Sequence, residues 1–129
     1  MRKSQLYING KLISAKKTYI RENPATMEPL QEVSLASKKD INNACSSALT
    51  AFAVWSKTPP VVRGQMMFKI ANLIREKINI LSLINTQETG KPINESTLVE
   101  LGGVIRTFEY YAGLATKIKG NSQVINHEL

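Results

Sequence analysis

The thiol and the imidazole, two side chains often used as nucleophile and general base, occur once each, as Cys45 and His127. Cys45 lies between Ala44 and Ala48 on one apolar stripe of a predicted helix, where we expect it to be buried and unreactive. His127 lies near the end of the sequence, with no cysteine or serine placed to act with it, and is interpreted as a solvated histidine. We therefore predict no catalytic residue in this sequence.

A phosphate-binding glycine loop is also missing. Gly102-Gly103-Val104-Ile105 matches neither the dinucleotide fingerprint nor a P-loop, and it falls inside a predicted helix rather than at a strand-to-helix turn. The expected reason for these glycines is close backbone packing against a neighbouring helix, and a kink is the alternative. We expect no cofactor to bind this chain alone.

Charge and composition exclude several other classes. The net charge is +7, but there is no run of five like charges, no aromatic and basic interleaving and no zinc-type spacing. We therefore predict no nucleic-acid partner. A single cysteine fits a reducing compartment, and no segment reads as a signal peptide or a membrane span, so the expected location is the cytoplasm, with no membrane partner.

Turn chemistry divides the first 36 residues into short strands. Asn9-Gly10 between two apolar triplets predicts a hairpin over 5–13. A third strand is expected at 18–20, ended by Asn23-Pro24, and a fourth near 30–35 after a turn. Nothing in this pattern assigns a function.

Helical periodicity governs the remainder. Ser37 and Asp40 predict the start of a first helix, which Pro59-Pro60 ends. A second helical block is expected to break near Asn79 and to end at Gly90, and a last helix fits 95–117. The inward stripe of the first helix is predicted to comprise Ile41, Ala44, Cys45, Ala48, Phe52 and Trp55.

Seven segments, in this order and spacing, resemble the start of the aldehyde dehydrogenase superfamily. They are Tyr7-Ile8-Asn9-Gly10-Lys11, Asn23-Pro24-Ala25-Thr26, Ala36-Ser37 through Asp40-Ile41, Ala51-Phe52 with Trp55-Ser56, Arg63, Glu88-Thr89-Gly90-Lys91-Pro92, and Tyr110-Tyr111-Ala112-Gly113. Each segment alone is common, but together they span nearly the whole chain. The framework around 91–95 and 109–113 leans toward the betaine and aminoaldehyde dehydrogenases.

The resemblance implies an α/β enzyme family in which this segment is α+β, a short antiparallel sheet followed by three to four helices. Residues 1–129 would be the incomplete N-terminal part of the cofactor-binding domain. Within it, 1–36 would form the strand region, 37–119 the helical region and 120–129 the start of a strand arm. The complete family oxidises aldehydes to carboxylic acids with NAD or NADP, through a cysteine thioester, and its catalytic groups lie downstream of the matched region.

One binding role carries over from the resemblance. Many members hold a structural monovalent cation between a carboxylate just before Thr-Gly-Lys and a backbone carbonyl just before Asn-Pro. The matching positions are Glu88 and the backbone of Arg21 to Glu22. The competing interpretation is that Glu88 is a surface carboxylate in the last turn of a helix. Two departures stand out: Met27 replaces a glycine usual at that turn position, and Glu88 replaces a frequent aspartate.

The hypothesis that we carry forward is a truncated or split dehydrogenase, inactive alone. Its partner would be the remainder of the enzyme or a homologous subunit, and uncovered helical stripes would make it self-associate. The alternative is a separate interaction module that docks on a full-length dehydrogenase.

Overall fold

The computed structural model describes residues 2–120, which form five strands followed by helices. The strands are β1 (Arg2–Ser4), β2 (Leu6–Ile8), β3 (Lys11–Ile13), β4 (Lys17–Glu22) and β5 (Pro29–Leu35). The helices are α1 (Lys38–Trp55), α2 (Pro60–Glu76), α3 (Ile78–Thr89), a π-helix (Glu95–Leu101) and α4 (Gly102–Leu114). The predicted α+β class is confirmed.

The strands do not form the single antiparallel sheet that was expected. β5 lies between β4, which is antiparallel to it, and β1, which is parallel to it, and the β2–β3 hairpin is separate. β1 was not predicted because Arg2, Lys3 and Ser4 show no apolar alternation. Backbone pairing holds β1, together with an ion pair between Lys3 Nζ and Glu32 Oε2 at 3.3 Å.

The two tight turns among these strands use left-handed backbone. Asn9 and Gly10 have φ of 52° and 73°, as the predicted two-residue hairpin turn requires. Between β4 and β5, the Asn23 carbonyl accepts a hydrogen bond from the Met27 amide at 2.7 Å, and Met27 has φ of 59°. A side chain with a Cβ is strained there, so the resemblance correctly marked this position.

The start of α1 is confirmed, but its predicted inward face is wrong. Ser37 Oγ accepts from the Asp40 amide, and Asp40 Oδ2 accepts from the Ser37 hydroxyl and amide, which holds the pKa of Asp40 below its ordinary value. No residue of α1 is buried: Phe52 is 60% exposed, and Cys45 is exposed. The periodicity identified an apolar face, but within residues 2–120 the contact of α1 with β2 buries none of its residues.

The later helices end close to the predicted boundaries. α2 and α3 meet at Lys77, whose φ of −103° leaves the helical region two residues before the expected break, and Gly90 ends α3 with φ of 78°.

The last helix begins as the π-helix, and the Gly102 amide donates a hydrogen bond to the Thr97 carbonyl, five residues earlier. A methyl group on Gly102 would lie nearest to Arg106 Nη1, so the expected packing of these glycines against another helix is wrong.

The close helix contact lies instead between α2 and α4. A Cβ on Gly64 would come within 2.8 Å of the Ala112 carbonyl oxygen and 3.3 Å of the Ala115 methyl. The buried apolar residues of the described chain, Ala71, Ile105 and Ala112, all belong to these two helices. The centre of the helical region is therefore a contact between small side chains and backbone.

Replacing Met27 by glycine should stabilise the chain. Left-handed backbone costs a side-chain-bearing residue about 1–2 kcal/mol, part of which the flexibility of glycine offsets, so we expect a gain of about 1 kcal/mol in the free energy of unfolding. The measurement is urea denaturation followed by circular dichroism. Met27→Ala is the control, because it keeps the Cβ and removes an exposed side chain; a similar gain in that variant would contradict the explanation.

Replacing Gly64 by alanine should destabilise the chain by about 1–3 kcal/mol, because the added methyl group forces α2 and α4 apart. Gly113→Ala is the matched control in α4, since nothing lies within 4 Å of the Cβ that it would add. Helix propensity predicts that this control is neutral or stabilising by up to about 1 kcal/mol. Equal effects of the two substitutions in thermal denaturation would refute the proposed contact.

Candidate functional site

Glu88, the predicted cation ligand, lies half-buried in the last turn of α3 and faces the strands. Its carboxylate oxygen Oε1 accepts a hydrogen bond from Gln31 Nε2 of β5 at 2.7 Å. Its backbone carbonyl accepts one from Arg21 Nη2 of β4 at 2.9 Å. Glu88 is thus joined through two different oxygens to two neighbouring strands.

The chain around Glu22 approaches the same corner of the molecule. The β4–β5 pairing is irregular between Arg21 and Glu22, and the Asn23-Pro24 turn follows directly. A Cβ on Gly90 would lie 3.0 Å from Pro24 Cγ, so the end of α3 packs closely on this turn. The structure therefore brings the two predicted ligand positions, Glu88 and the Glu22 backbone, to one junction.

The site predicted at this junction is one for a monovalent cation. Such a cation binds oxygen atoms, and carbonyl and carboxylate oxygens are present. The backbone carbonyl of Glu88, adjacent to the predicted carboxylate ligand, already accepts from the positively charged guanidinium of Arg21, whose Nε is buried with no hydrogen-bond partner among the described residues. No cluster of three or more His, Cys, Asp or Glu side chains occurs within 2–120. While Arg21 keeps this position, the arrangement does not fit a bound cation.

Exposed polar pairs surround the junction. Arg2 Nη2 donates to Gln87 Oε1 at 2.9 Å, one residue before Glu88. The Lys91 ammonium donates to the Glu100 carboxylate, which raises the pKa of Lys91. On the far side of the sheet, hydrogen bonds from Thr18 and Lys3 lower the pKa of Glu32. Pairs as exposed as these contribute little stability.

A buried polar group that sequence reasoning missed lies behind the junction. Ser96 is fully buried, and its Oγ accepts hydrogen bonds from Asn85 Nδ2 at 3.1 Å and from Thr86 Oγ1 at 2.9 Å. These bonds tie α3 to the π-helix. A single serine between polar neighbours carries no signal of burial, because the helix periodicity that predicts burial assumes α-helical turns.

The remaining candidates are separate from this junction. Cys45 is exposed on α1 rather than buried, and His127 lies outside the described residues. Two surface grooves, of about 370 and 880 Å³, lie beside the strands and the start of α1, and neither is lined by Glu22, Cys45 or Glu88. Helices long and apolar enough to cross a membrane are absent from the described part of the chain.

The sequence was found to be similar to proteins of one enzyme family. The sequence model of the aldehyde dehydrogenase family matches residues 12–128. The chain belongs to the aldehyde dehydrogenase family. Retinaldehyde dehydrogenase 3 of Mus musculus is 33% identical over 124 residues, covering 92% of this chain and 24% of that protein. The chain thus spans about a quarter of the length of this relative.

Solved structures of the family share the fold. An aldehyde dehydrogenase from Bacillus cereus, determined as an NAD+ complex, superimposes with a TM-score of 0.93 at 30% identity, over 98% of this chain and 27% of that one. A betaine aldehyde dehydrogenase from Staphylococcus aureus, in complex with NAD+, gives a TM-score of 0.87 at 31% identity, with 98% and 26% covered. NAD is therefore a cofactor of family members with this fold.

The Gln31 bond to Glu88 can be tested by stability. Glu88→Ala removes the acceptor and leaves a half-buried amide without its partner, so we expect a loss of about 1–2 kcal/mol in the free energy of unfolding. Glu88→Gln is the control: it keeps an oxygen at the same reach, and its loss should be less than half as large. If urea denaturation gives equal losses, the negative charge of Glu88, and not its hydrogen bond, is what matters.

Proposed function

We propose that this chain is the N-terminal scaffold segment of an NAD(P)-dependent aldehyde dehydrogenase and has no catalytic activity alone. The observation that carries the proposal is that the family model matches nearly the whole chain, while the chain spans only about a quarter of the length of its relatives. Residues 1–129 would be part of the cofactor-binding domain; the strand arm predicted at 120–129 lies, apart from Gly120, outside the described residues.

The reaction proposed for the complete protein is oxidation of an aldehyde to a carboxylic acid. A cysteine thiolate attacks the carbonyl carbon, and the resulting tetrahedral adduct loses hydride to become a thioester. NAD or NADP, when bound, accepts that hydride. Water activated by a carboxylate then hydrolyses the thioester, releasing the acid and the thiol. The resemblance implies that all of these groups lie downstream of the matched region. Cys45, exposed on α1, is not proposed as the nucleophile.

The residues of this chain would act by docking. Large apolar side chains on α1, among them Ile41, Leu49 and Phe52, are more than half exposed. A contiguous apolar face of this kind is characteristic of a surface that another part of a protein covers. We assign that covering to the remainder of the dehydrogenase or to a homologous subunit, and self-association of the isolated chain would follow. No observation favours a separate docking module over this proposal.

Three further assignments remain predictions. Membership of the betaine and aminoaldehyde dehydrogenase subgroup is one, since both retinaldehyde and betaine aldehyde dehydrogenases occur among the relatives. A monovalent cation at Glu88 and the Glu22 backbone is another, and the positive charge of Arg21, which donates to the adjacent Glu88 carbonyl, opposes it. Cytoplasmic location is the third, supported by the single cysteine.

An enzymatic assay tests the absence of activity. The purified chain, mixed with an aldehyde and NAD+ or NADP+, should produce no absorbance of the reduced cofactor above the enzyme-free baseline. The B. cereus aldehyde dehydrogenase provides the positive control. Aldehyde-dependent reduction by the chain alone, abolished by Cys45→Ser, would overturn the proposal.

Docking is tested by a charge placed on the apolar face. Phe52→Asp should weaken binding of the chain to the separately expressed remainder of a relative by at least about tenfold, because it buries a charge in the contact. Asn43→Asp is the matched control, since Asn43 is exposed on the opposite side of α1. Isothermal titration gives both affinities. Equal affinities for the two variants would exclude α1 as the docking surface.

A further inference from the structure

We propose that the guanidinium of Arg21 takes the place of a monovalent cation at Glu88, so that this chain needs no bound metal ion there. The inference concerns the predicted cation site at Glu88 and Glu22 and is independent of the proposed dehydrogenase reaction. It starts from one contact, the hydrogen bond from Arg21 Nη2 to the Glu88 carbonyl oxygen at 2.9 Å.

The position of that contact favours a positive charge. Glu88 lies in the last turn of α3, where carbonyl groups without helical partners carry the negative end of the helix dipole. Some cation is therefore stabilising at this end of the helix. Arg21 supplies one from β4, across 67 residues of sequence, in the form of its guanidinium group.

Burial fixes the guanidinium in this position. Arg21 is half-buried, and its Nε is shielded from solvent with no acceptor among the described residues. A buried charge is costly unless nearby groups compensate it. Among residues 2–120, Arg21 forms no ion pair, so the Glu88 carbonyl provides that compensation.

The carboxylate of Glu88 is occupied separately. Gln31 Nε2 donates to one of its two oxygens, Oε1, at 2.7 Å, while Arg21 donates to the backbone carbonyl, so the guanidinium lies beside an oxygen group that also accepts from the protein. A second cation at the same carbonyl would lie within a few ångströms of the guanidinium and would be repelled by it. Arg21 and a metal ion therefore exclude each other.

The test measures thermal unfolding of the 129-residue chain in KCl, NaCl or choline chloride at equal ionic strength. The wild-type protein should have the same Tm in all three salts. Arg21→Met, which removes the charge and keeps an unbranched side chain, should have a lower Tm in choline chloride and recover at least about 2 °C in KCl or NaCl. Arg21→Lys retains the charge and should remain independent of the salt.

Arg2→Gln is the matched control, because Arg2 makes a similar hydrogen bond to Gln87 beside the junction without contacting Glu88. It should show no dependence on the metal ion. If wild type is stabilised specifically by K+ or Na+ and Arg21→Met is not, Arg21 does not replace the cation, although the Glu88 and Glu22 site would stand. If neither protein responds, both the replacement and the predicted cation site are wrong.

A measurement on the wild-type chain alone remains decisive if Arg21→Met does not fold. The ²³Na resonance should keep its width when the wild-type protein is added, apart from the small broadening that Arg2→Gln also produces. Additional broadening that KCl reverses would show a specific ion bound beside Arg21 and would overturn the proposal.

Discussion

The contact between α2 and α4 is the constraint on which the helical region depends. At Gly64 the two helices approach so closely that a single methyl group would collide with the Ala112 carbonyl. Such an approach brings small residues and backbone together, and Ala71 and Ala112 are accordingly buried there with Ile105. A core of this composition removes little apolar surface from water, and α1 contributes no buried residue to it.

The consequence is a molecule whose helices differ in how they are held. α2 and α4 are joined by close packing, whereas α3 is joined to the π-helix through buried Ser96 and to the strands through Glu88. α1 has a well-formed start at Ser37 but no buried residue. Local hydrogen bonding therefore determines where α1 begins, and its apolar face is available to a larger assembly, as the proposed scaffold role requires.

Local sequence signals predicted most of the element boundaries. Asn9-Gly10, the Ser37 and Asp40 pair, and Gly90 each act within a few residues, and each adopts the predicted conformation. The pairing of β1 with β5 and the burial of Ser96 depend on residues far along the chain, so no local pattern contains them. Periodicity found the apolar face of α1, but burial of that face requires a neighbouring surface, which periodicity does not specify.

The contacts at the candidate site also depend on residues that are far apart in the sequence. A resemblance can assign Glu88 and the Glu22 backbone as oxygen donors because it compares positions one at a time. It cannot show that the side chain of Arg21, the residue before Glu22, donates a hydrogen bond to the backbone carbonyl of Glu88. That bond depends on the direction in which the Arg21 side chain leaves β4. An irregularity in the β4–β5 pairing lies at this point, between Arg21 and Glu22. Because a change of pairing alters which face of a strand a side chain lies on, the direction of the Arg21 side chain depends on the register of β4 with β5, which a comparison of single positions does not contain.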